Sequence, residues 1–299
     1  MQDSTKQELE SRLSNSIANI DSVSGGCINQ AFRITLQDGR EFFAKTNSSA
    51  NALSGGMFDA EAAGLIALRS TDTFMVPDVV AVGCAQSEAF LVLGWIESGR
   101  RSRDYSQQLG RRLAALHQFD EWKTNSESSK FNFGFDGDNF LGSTSQPNQW
   151  NDCWIEFWRQ HRLGHQLQLA STQSFVDPRL LKLGENLLHR LEQILDAPES
   201  ASLLHGDLWS GNVMCNVDGE PVLVDPACYM GHREAEFGMI TLFGGFDEDF
   251  YAAYNEGWPM EDGCEERVEI YRLYHLLNHL NLFGPSYQPG CLEILQKFA

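Results

Sequence analysis

The stretch Leu203-Leu204-His205-Gly206-Asp207-Leu208-Trp209-Ser210-Gly211-Asn212, followed by Val222-Leu223-Val224-Asp225-Pro226, constrains this chain more than any other part of it. Between Asn212 and Asp225, two mainly apolar runs, residues 213–217 and 221–224, flank the turn signal Asp218-Gly219. That pattern predicts a β-hairpin that brings Asn212 and Asp225 close together. An aspartate, an asparagine five positions later and an aspartate at the end of the next strand form a compact set of oxygen donors suited to phosphoryl transfer. Two of them can hold Mg²⁺, a hard cation that prefers oxygen, while the third accepts a proton from an attacking hydroxyl. Taken alone, Asp207 and Asn212 would serve equally well as turn caps.

Residues upstream decide between those readings. Ser24-Gly25-Gly26-Cys27 lies between two strand candidates, where Gly25 and Gly26 let backbone N–H groups approach phosphates. Lys45 stands on the returning strand of a hairpin formed by residues 31–36 and 41–45, turned at Gln37-Asp38-Gly39-Arg40. Glu61, in an alanine-rich helix over 59–69, is placed to hold that lysine by an ion pair. Further strands are expected at 79–83 and 90–93, and a leading helix over 4–18 from the spacing of Leu9, Leu13 and Ile17. Beyond Gly94 the pattern turns helical, with helices expected at 104–118, 150–169, 178–195, 234–243 and 265–283. Residues 120–149 read as an irregular connection. The expectation is a two-lobed α+β protein: a small β-rich N-terminal nucleotide-binding lobe over 1–94, a hinge at 95–99, and a larger, mainly helical lobe over 100–299 carrying the catalytic loop and substrate site.

Over nearly its whole length the sequence resembles the fructosamine kinase (ketosamine 3-kinase) branch of the aminoglycoside phosphotransferase and choline kinase superfamily. The resemblance rests on His205 to Asn212 with Asp225-Pro226-Ala227-Cys228-Tyr229, and on Gly25-Gly26-Cys27-Ile28-Asn29, Phe42-Phe43-Ala44-Lys45 and Glu61-Ala62-Ala63-Gly64-Leu65. It extends through Asp138-Asn139-Phe140-Leu141-Gly142, Pro147-Asn148-Gln149-Trp150 and Gly231-His232-Arg233-Glu234. The resemblance implies a protein-kinase-like fold and an ATP- and Mg²⁺-dependent kinase acting on a sugar hydroxyl of a ketosamine, as a free glycated amine or a glycated protein lysine, so that the amine is released. It also implies Asp207 as catalytic base, Asn212 and Asp225 as Mg²⁺ ligands, Lys45 as phosphate anchor and Glu61 as its partner, with Trp95, Ile96 and Glu97 facing the adenine. Trp209 is either a flat face on which a sugar ring stacks or a core buttress of the loop. Gly206 stands where protein kinases carry arginine, and Pro226 follows the metal aspartate, so no phosphorylation-switched activation loop is expected. Other readings are a kinase of another amino-alcohol, such as an aminoglycoside, choline or homoserine, and a nucleotide-binding module without turnover.

Composition narrows the partners. With 22 basic and 41 acidic residues the net charge is −19, and it is spread: 6 basic against 12 acidic residues precede Ser98. Such a surface repels phosphate backbones and anionic headgroups, so neither nucleic acid nor membrane is an expected partner. The polar first twenty residues lack a signal-peptide pattern. Seven scattered cysteines, with no C-x-x-C pair, fit a reducing cytoplasm. A monomer or weak homodimer is expected. Cys27 reads as a small residue in a tight turn, with oxidation of a thiol beside backbone N–H dipoles as the alternative. Trp150, Trp154 and Trp158, four residues apart, read as a helix face in the core. His161 and His165 continue that line without a catalytic role, and His205 reads as an orienter of the loop.

Overall fold

The computed structural model describes residues 1–23, 28–53, 56–120 and 133–299. They fall into two compact units, Met1–Arg103 with Met214–Asp225, and Asp104–Val213 with Pro226–Ala299. Gly25, Gly26 and Cys27 lie outside the described residues.

In the first unit, helix α1 (Asp3–Arg12) is followed by strands β1 (Ile17–Ser22), β2 (Gln30–Leu36) and β3 (Glu41–Asn47). Helices α2 (Ala50–Leu53) and α3 (Met57–Ser70) and strands β4 (Val79–Ala85) and β5 (Glu88–Gly94) complete it. The strands form one antiparallel sheet in the order β1-β2-β3-β5-β4. Alternation along a strand sends successive side chains to opposite faces. Ile34, Leu36, Phe42, Ala44, Phe90 and Val92 therefore share one face and bury Leu9 of α1 and Leu13, just after it, against that face. Lys45, the next residue along, takes the other face. The leading helix is shorter than the apolar spacing predicts: Ser14 takes a left-handed conformation (φ 52°), which ends the helix and releases Ile17 into β1, where it pairs with Leu36.

In the second unit, α4 (Tyr105–Gln118) precedes a small hairpin, β6 (Asn139–Leu141) and β7 (Thr144–Gln146), inside the stretch read as irregular. Helices α5 (Trp154–Trp158), α6 (His165–Ser171) and α7 (Pro178–Leu188) follow, and then β8 (Ser202–Leu204). The chain then forms hairpin strands β9 (Val213–Cys215) and β10 (Pro221–Leu223), which fall in the first unit from Met214 onward, and the second unit resumes with β11 (Tyr229–Gly231), α8 (Glu234–Phe243), α9 (Glu248–Gly257), α10 (Cys264–Phe283) and α11 (Gln288–Phe298). Helices α9 and α11 are absent from the sequence reading. The predicted helix over 150–169 begins at Trp154, leaving Trp150 outside it. Between α5 and α6, Arg159–Gly164 form a turn of π-helix, which Gly164 permits because a Cβ there would lie 2.4 Å from the Arg159 carbonyl oxygen. That turn brings Arg162 fully inside, its guanidinium over the rings of Phe157 (4.5 Å) and Tyr229 (4.0 Å). Trp154 and Trp158 are core residues as expected, and Trp154 Nε1 donates to the Tyr271 hydroxyl at 3.0 Å.

The stretch Met214–Asp225 belongs to the first unit, although the sequence reading places it in the second lobe. Backbone bonds account for this: Gly99 N donates to Cys215 O (2.9 Å) and Leu223 N to Met75 O (3.1 Å). With Ser102 N donating to Gly219 O (3.3 Å), they extend the first unit past the expected hinge at 95–99. No helix among the described residues is long and apolar enough to cross a membrane.

Candidate active site

Lys45 sits on β3 in the middle of the sheet, between Ala31 of β2 and Leu91 of β5. Its ammonium donates to Glu61 Oε1 of α3 at 2.8 Å and to Asp225 Oδ1 at 2.6 Å. Burial disfavours the charge, but the carboxylates of Asp225 and Glu61 outweigh it and hold the Lys45 pKa above its ordinary value, so the cation persists. The same burial pushes the Glu61 carboxyl up, with Lys45 opposing. Three residues separated by as much as 180 positions thus form one ion cluster. Asp225 itself has φ 57°, a left-handed conformation that aspartate tolerates better than most residues and that is otherwise a store of strain at functional positions.

Trp95, Ile96 and Glu97 follow β5 directly. Trp95 Nε1 donates to Glu97 Oε2 (2.9 Å), and Arg33 of β2 lies over the Trp95 ring at 4.5 Å and 4.0 Å from the Glu97 carboxylate. Both side chains are thereby tied to the sheet, while Ile96 is half-buried.

The second group forms on the loop that leaves β8, which pairs with β11 through Leu204 and Tyr229. The buried His205 carbonyl accepts from Ala227 N at 2.8 Å, drawing the loop so close that a Cβ at position 206 would lie 2.1 Å from the Ala227 carbonyl oxygen. Gly206 also has φ 81°. Glycine is therefore required where protein kinases accommodate arginine. Asp207 N donates to His205 Nδ1 at 3.3 Å, which agrees with an orienting role for that histidine. Ser210–Asn212 form a single 3₁₀ turn, and this closes the five-residue spacing: Asn212 Nδ2 donates to the Asp207 carbonyl (2.8 Å) and to Asp207 Oδ2 (3.2 Å). The pair is more than a turn cap, because the side-chain amide fixes the rotation of the carboxylate.

Trp209 is half-buried. Its ring lies on Gly211, where a Cβ would meet ring atoms at 2.3 to 2.7 Å, and against Phe243 at 5.9 Å between centroids. The ring therefore supports the loop, as the buttress reading expects, while remaining only partly buried. Gly211→Ala must displace it. We expect this variant to fold with a melting temperature close to that of the parent and to lose about tenfold in kcat/KM for the acceptor, roughly the value of one or two aromatic contacts. An unchanged kcat/KM would remove Trp209 from the acceptor site.

The sequence reading missed Glu236. This α8 residue is 2% exposed, and its carboxylate accepts from His205 N (2.6 Å) and Gly206 N (3.0 Å), gripping the loop immediately before Asp207. On the other side lies buried His117 of α4, with Nε2 3.6 Å from Glu236 Oε2 and Nδ1 2.9 Å from the Tyr254 hydroxyl. Burial lowers the His117 pKa despite Glu236, so the ring stays neutral. A glutamate inside the apolar run Ala235-Glu236-Phe237-Gly238-Met239-Ile240 was the available signal, because a buried carboxylate needs donors.

Among the described residues no three His, Cys, Asp or Glu side chains form a metal cage. Asn212, in the second unit, and Asp225, in the first, each carry a hard side-chain oxygen of the kind that Mg²⁺ takes.

The whole chain, residues 1–299, matches the sequence profile of the fructosamine kinase family. A chloroplastic protein-ribulosamine 3-kinase from Oryza sativa subsp. indica is 42% identical over 94% of this chain and 79% of its own length. A Synechocystis protein provisionally named a ketoamine kinase is 42% identical over 92% of this chain and 88% of its own. The crystal structure of a Thermobifida fusca protein, provisionally named a fructosamine-3-kinase, superposes with a TM-score of 0.85 at 28% identity, covering 99% of this chain and 98% of that one. A macrolide 2′-phosphotransferase shares the fold alone, with a TM-score of 0.63 at 14% identity over 99% of this chain and 96% of that one. By sequence along its full length and by the fold of its two units, the chain belongs to the fructosamine kinase family.

Proposed function

We propose that this protein is an ATP- and Mg²⁺-dependent phosphotransferase that phosphorylates a sugar hydroxyl of a ketosamine, free or on a protein lysine, and so initiates release of the amine. The observation that carries the reading is the Asp207–Asn212 pair, held on a loop anchored by Glu236 in a chain of this family. Asp207 accepts the hydroxyl proton, with its carboxylate orientation set by the Asn212 amide. Lys45, kept cationic by Glu61 and Asp225, anchors phosphate oxygens, and Trp95, Ile96 and Glu97 border the adenine. Asn212 and Asp225 would hold Mg²⁺, which would neutralise charge on the transferring phosphoryl group. Trp209 offers the sugar an apolar face. The reading keeps a cytoplasmic protein, monomeric or weakly dimeric, without a nucleic-acid or membrane partner; the evenly spread charge of −19 supports the absence of a nucleic-acid partner.

The test is ADP release with Mg-ATP against ribulose-lysine, fructose-lysine, an aminoglycoside, choline and homoserine. We expect turnover on a ketosamine and its loss when a chelator removes the divalent cation. Turnover confined to another amine would keep the kinase chemistry and overturn the substrate, and absence of turnover despite ATP binding would leave a nucleotide-binding module.

A further inference from the structure

Trp209 is the first of a connected series of rings. Phe243, at the end of α8, stands 5.9 Å from Trp209 and 5.0 Å from His279 of α10. His279 in turn lies 5.5 Å from Phe283 and 5.1 Å from Tyr287, all between ring centroids. Phe243 and Phe283 are 45% and 50% exposed, and Trp209, His279 and Tyr287 are half-buried. Isolated surface aromatics need no explanation, whereas exposed rings that share a central partner form a contiguous apolar strip. The strip also carries a polar handle. His279 Nδ1 lies 2.8 Å from the His275 carbonyl, which can only accept, so the proton is on Nδ1 and Nε2 of the neutral ring is an acceptor.

The length of the strip says what it fits. A lysine arm extends about 6 Å from Cα to Nζ, from bonds of about 1.5 Å. With the sugar on Trp209, a free lysine adduct is exhausted near Phe243 and His279, one or two ring steps away. Phe283 and Tyr287 lie one step further, where only chain flanking the lysine can reach.

The geometry points to a second acceptor subsite: the strip from Phe243 through His279 to Phe283 and Tyr287 binds apolar side chains of a polypeptide next to a glycated lysine, selecting among glycated sites by their neighbours. This rests on the ketosamine kinase reading and on Trp209 as the sugar face. Rigid aromatic rings suit such a task, because they supply contact area at little entropic cost and accept several apolar partners.

Three acceptors test it: blocked ribulosyl-lysine without flanking residues, a hexapeptide with ribulosyl-lysine between Phe and Leu, and the same peptide with Gly and Ser in their place. The expected result is a kcat/KM about tenfold higher for the Phe/Leu peptide than for the Gly/Ser peptide, the value of one or two aromatic contacts. Phe283→Ala combined with Tyr287→Ala should bring that ratio close to one, while kcat/KM for blocked ribulosyl-lysine stays within about twofold of the parent. If that protein does not fold, the single variant Phe283→Gln, at a half-exposed position, carries the same expectation. Equal rates on the two peptides, or a ratio that survives the substitutions, would overturn the subsite and leave the ketosamine reading intact. No turnover of any of the three would overturn both.

Discussion

Asp207→Asn is expected to lower kcat by about 10²- to 10⁴-fold, the usual contribution of a positioned general base, with little change in melting temperature. The substitution keeps shape and volume, and a side-chain carbonyl can still accept from Asn212 Nδ2, which lies 3.2 Å from Asp207 Oδ2 in the parent. What it removes is the ability to take a proton. Asp207 is only partly buried, so an isosteric change there costs folding little. Steady-state ADP release on the best ketosamine, with ATP affinity measured separately, separates the two effects. More than a tenth of parental kcat in a folded protein would remove Asp207 from the chemistry and point to water or another group as the proton acceptor.

Glu236→Ala is the second substitution with a large expected effect, and it acts through the backbone. Its carboxylate satisfies two buried N–H groups, on His205 and Gly206, at 2.6 and 3.0 Å. Each orphaned donor costs about 1–3 kcal/mol, so the variant should lose about 3–5 kcal/mol of stability and melt about 10 °C lower. The surviving folded protein should also show a reduced kcat, because the segment before Asp207 is no longer fixed, while the KM for ATP changes little. Glu236→Gln distinguishes positioning from bulk packing: it is isosteric but keeps one acceptor oxygen, so it should fall between alanine and the parent in both properties. If glutamine matched the parent in kcat and stability, one acceptor would suffice, and the two-point grip would not matter to the loop.

How much could be read from the sequence differs from one part to another. Hairpins were legible because Asp38-Gly39 and Asp218-Gly219 mark turns locally, and both formed where expected. The catalytic loop was legible because Asp207 and Asn212 are five residues apart and a single 3₁₀ turn brings them together. Periodicity failed at Ile17, whose place in an apolar series hid a chain reversal at Ser14, a residue with no obligation to adopt φ 52°. Helix α9, with Asp247 capping it through Phe250 N, was overlooked because only Phe250, Ala253 and Tyr254 mark its buried side. Glu236 and His117 were beyond reach for a different reason. Their importance comes from a buried arrangement joining α4, α8 and the loop after β8, and no local spacing connects positions 117, 205 and 236.

The placement of Met214–Asp225 with the first unit bears on how such a protein can be divided or inherited. Lys45 and Asp225 meet at 2.6 Å, yet the gene encodes them on opposite sides of the whole segment 104–213. A fragment ending at Arg103 would contain the sheet and Glu61 but not the second carboxylate. A recombination crossover between relatives anywhere from codon 46 to codon 224 would draw the lysine from one parent and its aspartate from the other. The ion cluster is therefore not a transferable module: it survives shuffling only where both parents agree on each side of it, which couples the histories of two distant stretches of the chain.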